Sequence, residues 1–264
     1  MGVEVRTNSL GFRSSWEPAE VSKDETRIFV IGNSITLGWG VEYPQIFTEL
    51  AQDKLNSSHA FPHPCRIINA GIGNMDTFQE EKMLQSHIQD VKPRLVVLHF
   101  YLDDVEPIEA GNSNWMLKNS YLTAFTYIRI RQAMAMREAS NGGIGNFYAR
   151  FYSDSNPAWI SVYQAIREMK DISSKQGAEF AVLIQPDLHN LSKSAGQWEA
   201  LRFVESRLRE AGIASAQVGP RFAPYESNPG ALWVASDDPH PNPAGHLIMA
   251  EALSDLVKST LEAK

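Results

Sequence analysis

The sequence predicts a doubly wound α/β fold, and three observations carry that expectation. Short apolar runs at 28–31, 95–101 and 180–184 alternate with longer stretches whose apolar residues recur at helical spacing, the pattern of parallel βαβ units. The run LVVLHFY at 95–101 is apolar almost throughout, as a strand buried on both faces must be. Gly, Asn, Ser and Asp gather just after these runs, where the loops at the carboxyl edge of such a sheet hold ligands.

Taken in order, residues 1–26 form a polar, irregular arm, with Leu10 and Phe12 of NSLGFR as its anchors. The first strand is expected at 27–31 and runs into a tight turn at Gly32-Asn33-Ser34. A helix over 44–56 follows, with Ile46, Phe47, Leu50, Ala51 and Leu55 on one face and Pro44 in its first turn. Residues 65–69 make a second strand ending in AGIGNMDT, and Asp76 or Thr77 caps a helix that runs to Asp90. After the third strand, 95–101, the pattern loosens from 107 to 157. Within it 121–138 reads as a helix of mixed polarity and 140–146 as a flexible link, so 107–157 is expected to be a lid or insertion. A helix over 160–176, a strand over 180–184, a helix over 198–211 closed by Gly212 and a weak strand over 213–218 follow. The last helix, 243–261, should bury Leu247, Ile248, Leu253, Leu256 and Val257 and carry His246 on its surface, completing a single domain over 1–264.

Composition narrows the classes of function. With 264 residues, 43% hydrophobic and 21% charged, the chain can bury a sizeable core. Its net charge of −7 argues against nucleic acid or an anionic membrane as the main partner. Cys65 is the one cysteine, so no intrachain disulfide forms. No run approaches the ~18 apolar residues of a membrane span. The opening residues lack the apolar core of a signal peptide. That leaves a cytoplasmic protein or an exported one whose signal is absent from this sequence; oligomeric state is not legible.

Chemistry concentrates in four loops that follow strand ends and converge on one sheet edge: Ser34, residues 71–76, Asp103-Asp104, and Asp237-Asp238-Pro239-His240-Pro241-Asn242. A serine at the end of a buried strand is ordinarily a turn or capping residue. A histidine and a carboxylate delivered to the same place make it a nucleophile instead. His240 would take the Ser34 proton, and Asp237, three residues earlier, can turn back to hold the other ring nitrogen. Asp238 is the alternative orienter, with the adjacent Pro239 counting against a compact turn. His99, inside a strand, reads as a core histidine, and His59 and His63 lie among prolines that prevent a metal-binding pair. No GxGxxG or phosphate-loop ending follows the first strand, and no cofactor or metal is expected. Tyr101, Trp39 and Trp115 either line a groove or pack in the core, and Trp233 is expected beneath the histidine loop.

GNSITLGWG, NAGIGNMDT, FYLDDV and DDPHPN, in this order and spacing, resemble the four blocks of the SGNH (GDSL-like) hydrolase superfamily. NSLGFR and the PHPNPAGHLIMAEAL ending resemble one bacterial branch of it. The resemblance covers nearly the whole chain. It implies a flavodoxin-like three-layer sandwich with a five-stranded parallel sheet, and esterase, lipase, carbohydrate deacetylase or O-acetyltransferase chemistry. Carried over, Ser34 is the nucleophile and Asp237 and His240 the pair behind it. The expected activity is removal of a small acyl group, acetyl above all, from a small-molecule or carbohydrate ester. The alternatives are transfer of that group to a sugar hydroxyl and a weakly active carbohydrate-binding protein.

Three departures stand out. The family's Gly-Asp-Ser is Gly32-Asn33-Ser34 here. Its second-block glycine, which offers a backbone N–H to the oxyanion, aligns with Asn74, next to Gly73. Its third-block asparagine, whose amide also donates there, is Asp103. An ionised carboxylate has no proton to give. Either Asp103 is kept protonated by burial and by Asp104, or Asn33 supplies the missing amide, or the oxyanion site is impaired.

Overall fold

The computed structural model describes residues 2–20, 22, 24–105 and 144–262. The expected 121–138 helix, Trp115 and most of the 107–157 lid lie outside the described residues. Among the described residues no helix is long and apolar enough to cross a membrane.

Five parallel strands form the central sheet: β1 (Thr26–Gly32), β2 (Cys65–Gly71), β3 (Leu95–Tyr101), β4 (Glu179–Gln185) and β5 (Ala214–Gln217). Their order is β2-β1-β3-β4-β5, the flavodoxin-like arrangement, with its switch point between β1 and β3. The weak fifth strand is real but short, ASAQ, and lies at the sheet's edge. Seven helices are described: α1 (Ser34–Leu37), α2 (Phe47–Ser57), α3 (Thr77–Val91), α4 (Ile144–Ala149), α5 (Pro157–Lys175), α6 (Gln197–Glu210) and α7 (Pro243–Glu262). Alternate strand residues face opposite ways. Phe29, Ile31, Val96, Leu98, Val182 and Ile184 therefore meet α3, α5 and α6 on one face. Ile28, Val30, Leu95, Val97, Ala181 and Leu183 meet α2 and α7 on the other. A two-stranded antiparallel ribbon, β6 (Trp233–Ala235) with β7 (Asp238–Pro241), precedes α7.

Local chemistry sets the element ends. Asp76 accepts from the Gln79 N–H at 2.9 Å while the Gln79 side chain accepts from the Asp76 N–H at 3.2 Å, a capping box that starts α3. The expected 44–56 helix is divided: Tyr43–Gln45 is a 3-10 turn and Ile46 is extended, so α2 begins at Phe47. Ile46 has no side chain that can cap. The cap comes from α7 instead, where His246 Nδ1 accepts from the Phe47 N–H at 3.1 Å. His246 is therefore fully buried, not on the surface, and burial together with the positive charge of neighbouring His99 and Arg13 pushes its pKa down to about 3. Leu247, one residue round the helix, is 55% exposed rather than buried.

The arm is tied into the fold. Asn8 Oδ1 accepts from the N–H groups of Leu10 and Phe12 at 3.0 and 2.9 Å, and its Nδ2 donates to the Trp16 carbonyl at 2.8 Å. This turn delivers Phe12 and Trp16 to the core, 1% and 2% exposed. Burying Phe12 alone contributes ~1.5–3 kcal/mol.

Candidate active site

β1 ends at Gly32, and the turn into α1 is too tight for any other residue there. A Cβ on Gly32 would lie 2.0 Å from Thr36 Oγ1, and one on Gly71 would lie 2.2 Å from the Leu37 nitrogen. So α1 rests directly on the carboxyl ends of β1 and β2. Asn69 Nδ2 takes the Thr36 carbonyl at 2.7 Å, and Thr36 Oγ1 meets His99 Nδ1 at 2.8 Å. His99 is a core histidine, as expected, its pKa lowered by burial to about 4. Arg13 completes the clamp. It is 1% exposed and donates to the carbonyls of Leu37, Gly38 and Val41 at 2.9, 2.8 and 2.7 Å. Those carbonyls lie at and just past the end of α1, where helix carbonyls lack intrahelical partners; that of Gly38 also accepts from the Val41 N–H at 3.2 Å.

Ser34 stands first in α1, half-buried at the switch point. Its Oγ lies 2.8 Å from His240 Nε2. His240 Nδ1 lies 2.5 Å from Asp238 Oδ1. The carboxylate that meets the His240 ring is thus that of Asp238, not Asp237. Asp237 is exposed at the ribbon's turn and makes no hydrogen bond to a described residue. The reason lies in the proline that seemed to argue the other way. Asp238 Oδ1 also accepts from the His240 N–H at 3.0 Å. That is an Asx turn, whose middle residue is pre-set by a proline. The same oxygen thereby reaches the backbone and the ring. Trp39 Nε1 donates to Asp238 Oδ2 at 3.2 Å. Burial works to raise the Asp238 pKa, but the bonds from His240 and Trp39 outweigh it and hold the carboxyl below its usual value. Trp39 is 48% exposed, its ring 6.3 Å from that of His240, so it belongs to the site's rim rather than the core.

Comparison with protein-family models gives no match, and comparison with curated proteins gives none. Solved structures do match. TesA aligns with a TM-score of 0.56 at 16% identity, over 89% of this chain and 99% of its own. The psychrotrophic esterase EstA from Pseudoalteromonas sp. aligns with a TM-score of 0.56 at 12% identity, over 90% of this chain and 99% of its own. A two-domain esterase active on acetylated mannans aligns with a TM-score of 0.55 at 15% identity, over 89% of this chain and 50% of its own. The fold is that of the SGNH hydrolases. At these identities the likeness is one of fold.

Past the end of β2, Ile72–Met75 is a turn held to β1 by the Ile72 N–H on the Gly32 carbonyl at 3.0 Å. Asn74 has φ +60° within it, the left-handed conformation that Asn accepts more readily than most residues. Gly73 and Asn74 are both exposed there. Asn33 is buried. Its Oδ1 caps α1 through the Ile35 N–H at 3.0 Å, and its Nδ2 donates to Asp104 Oδ1 at 3.3 Å. One N–H of the Asn33 amide is thus given to Asp104. Asp103 is half-buried in the turn Leu102–Val105, just past β3.

Asp104 is 1% exposed and also accepts from the Tyr101 N–H at 2.7 Å. Burial, then the nearby charges of Glu80 and Asp103, raise its pKa well above the carboxylate range. Burial, then Asp76 and Asp103, do the same to Glu80, which is fully buried. A carboxyl whose pKa is raised by folding stabilises the fold below its unfolded pKa of ~4.3 and loses that contribution as pH climbs through the folded value. Glu80→Gln keeps the neutral shape without the titration. Its melting temperature is therefore expected to exceed that of the wild type by several degrees at pH 8, at ~2–4 °C per kcal/mol, with the gap closing towards pH 4. A gap independent of pH would show Glu80 to be ionised in the fold.

Proposed function

We propose that the protein is a carboxylic ester hydrolase that removes a small acyl group, acetyl above all, with Ser34 as nucleophile. The observation that carries this reading is the continuous chain from Ser34 Oγ through His240 to Asp238, at 2.8 and 2.5 Å. His240 Nε2 takes the hydroxyl proton as Oγ attacks the acyl carbon. Asp238 fixes the Nε2-acceptor tautomer and stabilises the imidazolium that forms. The Ser34 N–H and the 73–74 turn supply backbone donors to the oxyanion. His240 then returns the proton to the departing alcohol, and a water activated by the same nitrogen releases the acid. The described esterase active on acetylated mannans supports an acetylated carbohydrate as substrate.

Transfer of the acyl group to a sugar hydroxyl would use the same acyl-enzyme. The observation favouring it is the exposed face of Trp39 beside His240, a surface on which an acceptor ring can stack. Labelling with a fluorophosphonate tests the shared step. One adduct, mapped by mass spectrometry to Ser34 and absent from Ser34→Ala, is expected. An unlabelled Ser34 in the folded protein would leave a carbohydrate-binding protein on a hydrolase fold.

A further inference from the structure

The Asp238–His240 turn has a counterpart. Asp187-Leu188-His189 follows β4, and Asp187 Oδ1 accepts from the His189 N–H at 3.2 Å and meets His189 Nδ1 at 2.6 Å. The corresponding distances at Asp238 are 3.0 and 2.5 Å. Asp187 is 1% exposed, and its Oδ1 also accepts from the Tyr101 hydroxyl at 3.1 Å. Gln197 pins the backbone beneath: its Oε1 accepts from the Asp187 N–H at 2.8 Å and its Nε2 donates to the Asp187 carbonyl at 3.0 Å. The His189 side chain, by contrast, is 33% exposed. Its Nε2 makes no hydrogen bond to any described residue.

Trp233 joins the two turns. Its indole N–H donates to the Leu188 carbonyl at 2.9 Å and its ring meets His189 edge to face at 5.7 Å. Its strand, β6, pairs with β7, which carries Asp238 and His240. Two imidazoles, each held through Nδ1 by a carboxylate, thus stand at one rim, and the reaction chain uses only His240.

We propose that His189 is a specificity-determining residue for the alcohol half of the ester, its Nε2 hydrogen-bonding a free hydroxyl next to the acylated oxygen. The inference rests on the Ser34 chemistry proposed above. With Nδ1 committed to Asp187, Nε2 accepts when the ring is neutral and donates when it is charged. A hydroxyl satisfies both states. Burial opposes protonation of His189, but Asp187 and Asp238 outweigh it and raise its pKa. An anionic group is disfavoured, because Asp187 and Asp238 already act on the ring, on a chain of net charge −7. A hydrocarbon alcohol leaves the nitrogen unused. The chemistry that fits is a neutral polyhydroxylated alcohol acylated at one position.

The test compares two esters of one ring size: methyl β-D-xylopyranoside bearing a single acetyl group, and cyclohexyl acetate. The wild type is expected to prefer the sugar ester in kcat/KM. His189→Phe retains an aromatic ring against Trp233 and removes the nitrogen. It is expected to cut the ratio of the two kcat/KM values by ~10- to 100-fold, the effect of stranding one buried hydrogen-bonding group. A wild type without the preference, or a His189→Phe protein that keeps it, would overturn the proposal, the latter assigning His189 to packing. Ser34→Ala assayed alongside separates the two readings. Hydrolysis surviving in Ser34→Ala overturns the hydrolase mechanism itself, whereas an unchanged ratio overturns only the role of His189.

Discussion

Replacing Asp238 by Asn is expected to lower kcat on para-nitrophenyl acetate by ~10⁴-fold, whereas Asp237→Asn should stay within about twofold of the wild type. The two residues are neighbours with the same side chain, so the contrast isolates geometry from charge. Asn preserves the Asx turn, since its Oδ1 can still accept from the His240 N–H. The position of the ring is thereby kept. What changes is the partner of Nδ1: an amide does not stabilise the imidazolium, and its N–H can hold the ring in the tautomer that leaves Nε2 protonated and useless as a base. Thermal melts of both variants, read beside the kinetics, separate this loss from unfolding. A large loss in Asp237→Asn with Asp238→Asn unaffected would return the orienting role to Asp237.

Asp103→Asn is expected to raise kcat. One oxyanion donor is worth ~10²–10³ in turnover, and the residue at the end of β3 offers a carboxylate where the SGNH pattern offers an amide. Asn33 gives one N–H of its amide to Asp104 at 3.3 Å. An increase of ~10-fold or more in kcat on para-nitrophenyl acetate, with little change in KM, would mark the amide as a donor made only in the transition state. A decrease would mean that the Asp103 carboxyl itself serves the reaction as a proton donor.

The sheet was legible because its strands are apolar and closely bounded by turn residues, and β3 is found at the residues expected, Leu95–Tyr101. The β6–β7 ribbon was not. Its strands are three and four residues long, and two of the residues in β7 are prolines, which ordinarily argue against a strand. Pro239 counts against Asp238 in the sequence, but a turn closed by a side chain obeys different rules from one closed by the backbone. His246 and Trp39 mark a second limit. Helical periodicity says which face a residue occupies only once the neighbours are known, and His246 is buried because α2 needs a cap that its own sequence lacks. Trp39 belongs to the rim because Asp238, 199 positions away, accepts from its indole. The sequence does carry one signal of these turns: Asp-x-His occurs at both 187–189 and 238–240, each at the spacing of an Asx turn.

The Arg13 clamp also bears on how the site comes into being. The contacts from Arg13 to Leu37, Gly38 and Val41 span only 24 to 28 positions. Closing a loop of that length costs little more entropy than closing one half as long, about 0.6 kcal/mol. The Arg13 contacts of the Ser34 turn are therefore local, whereas Asn69 and His99 reach it from β2 and β3. Its reacting partner arrives last, because His240 lies 206 positions from Ser34. Under the proposed mechanism the Ser34 hydroxyl therefore has its base only once the β6–β7 ribbon has joined the fold.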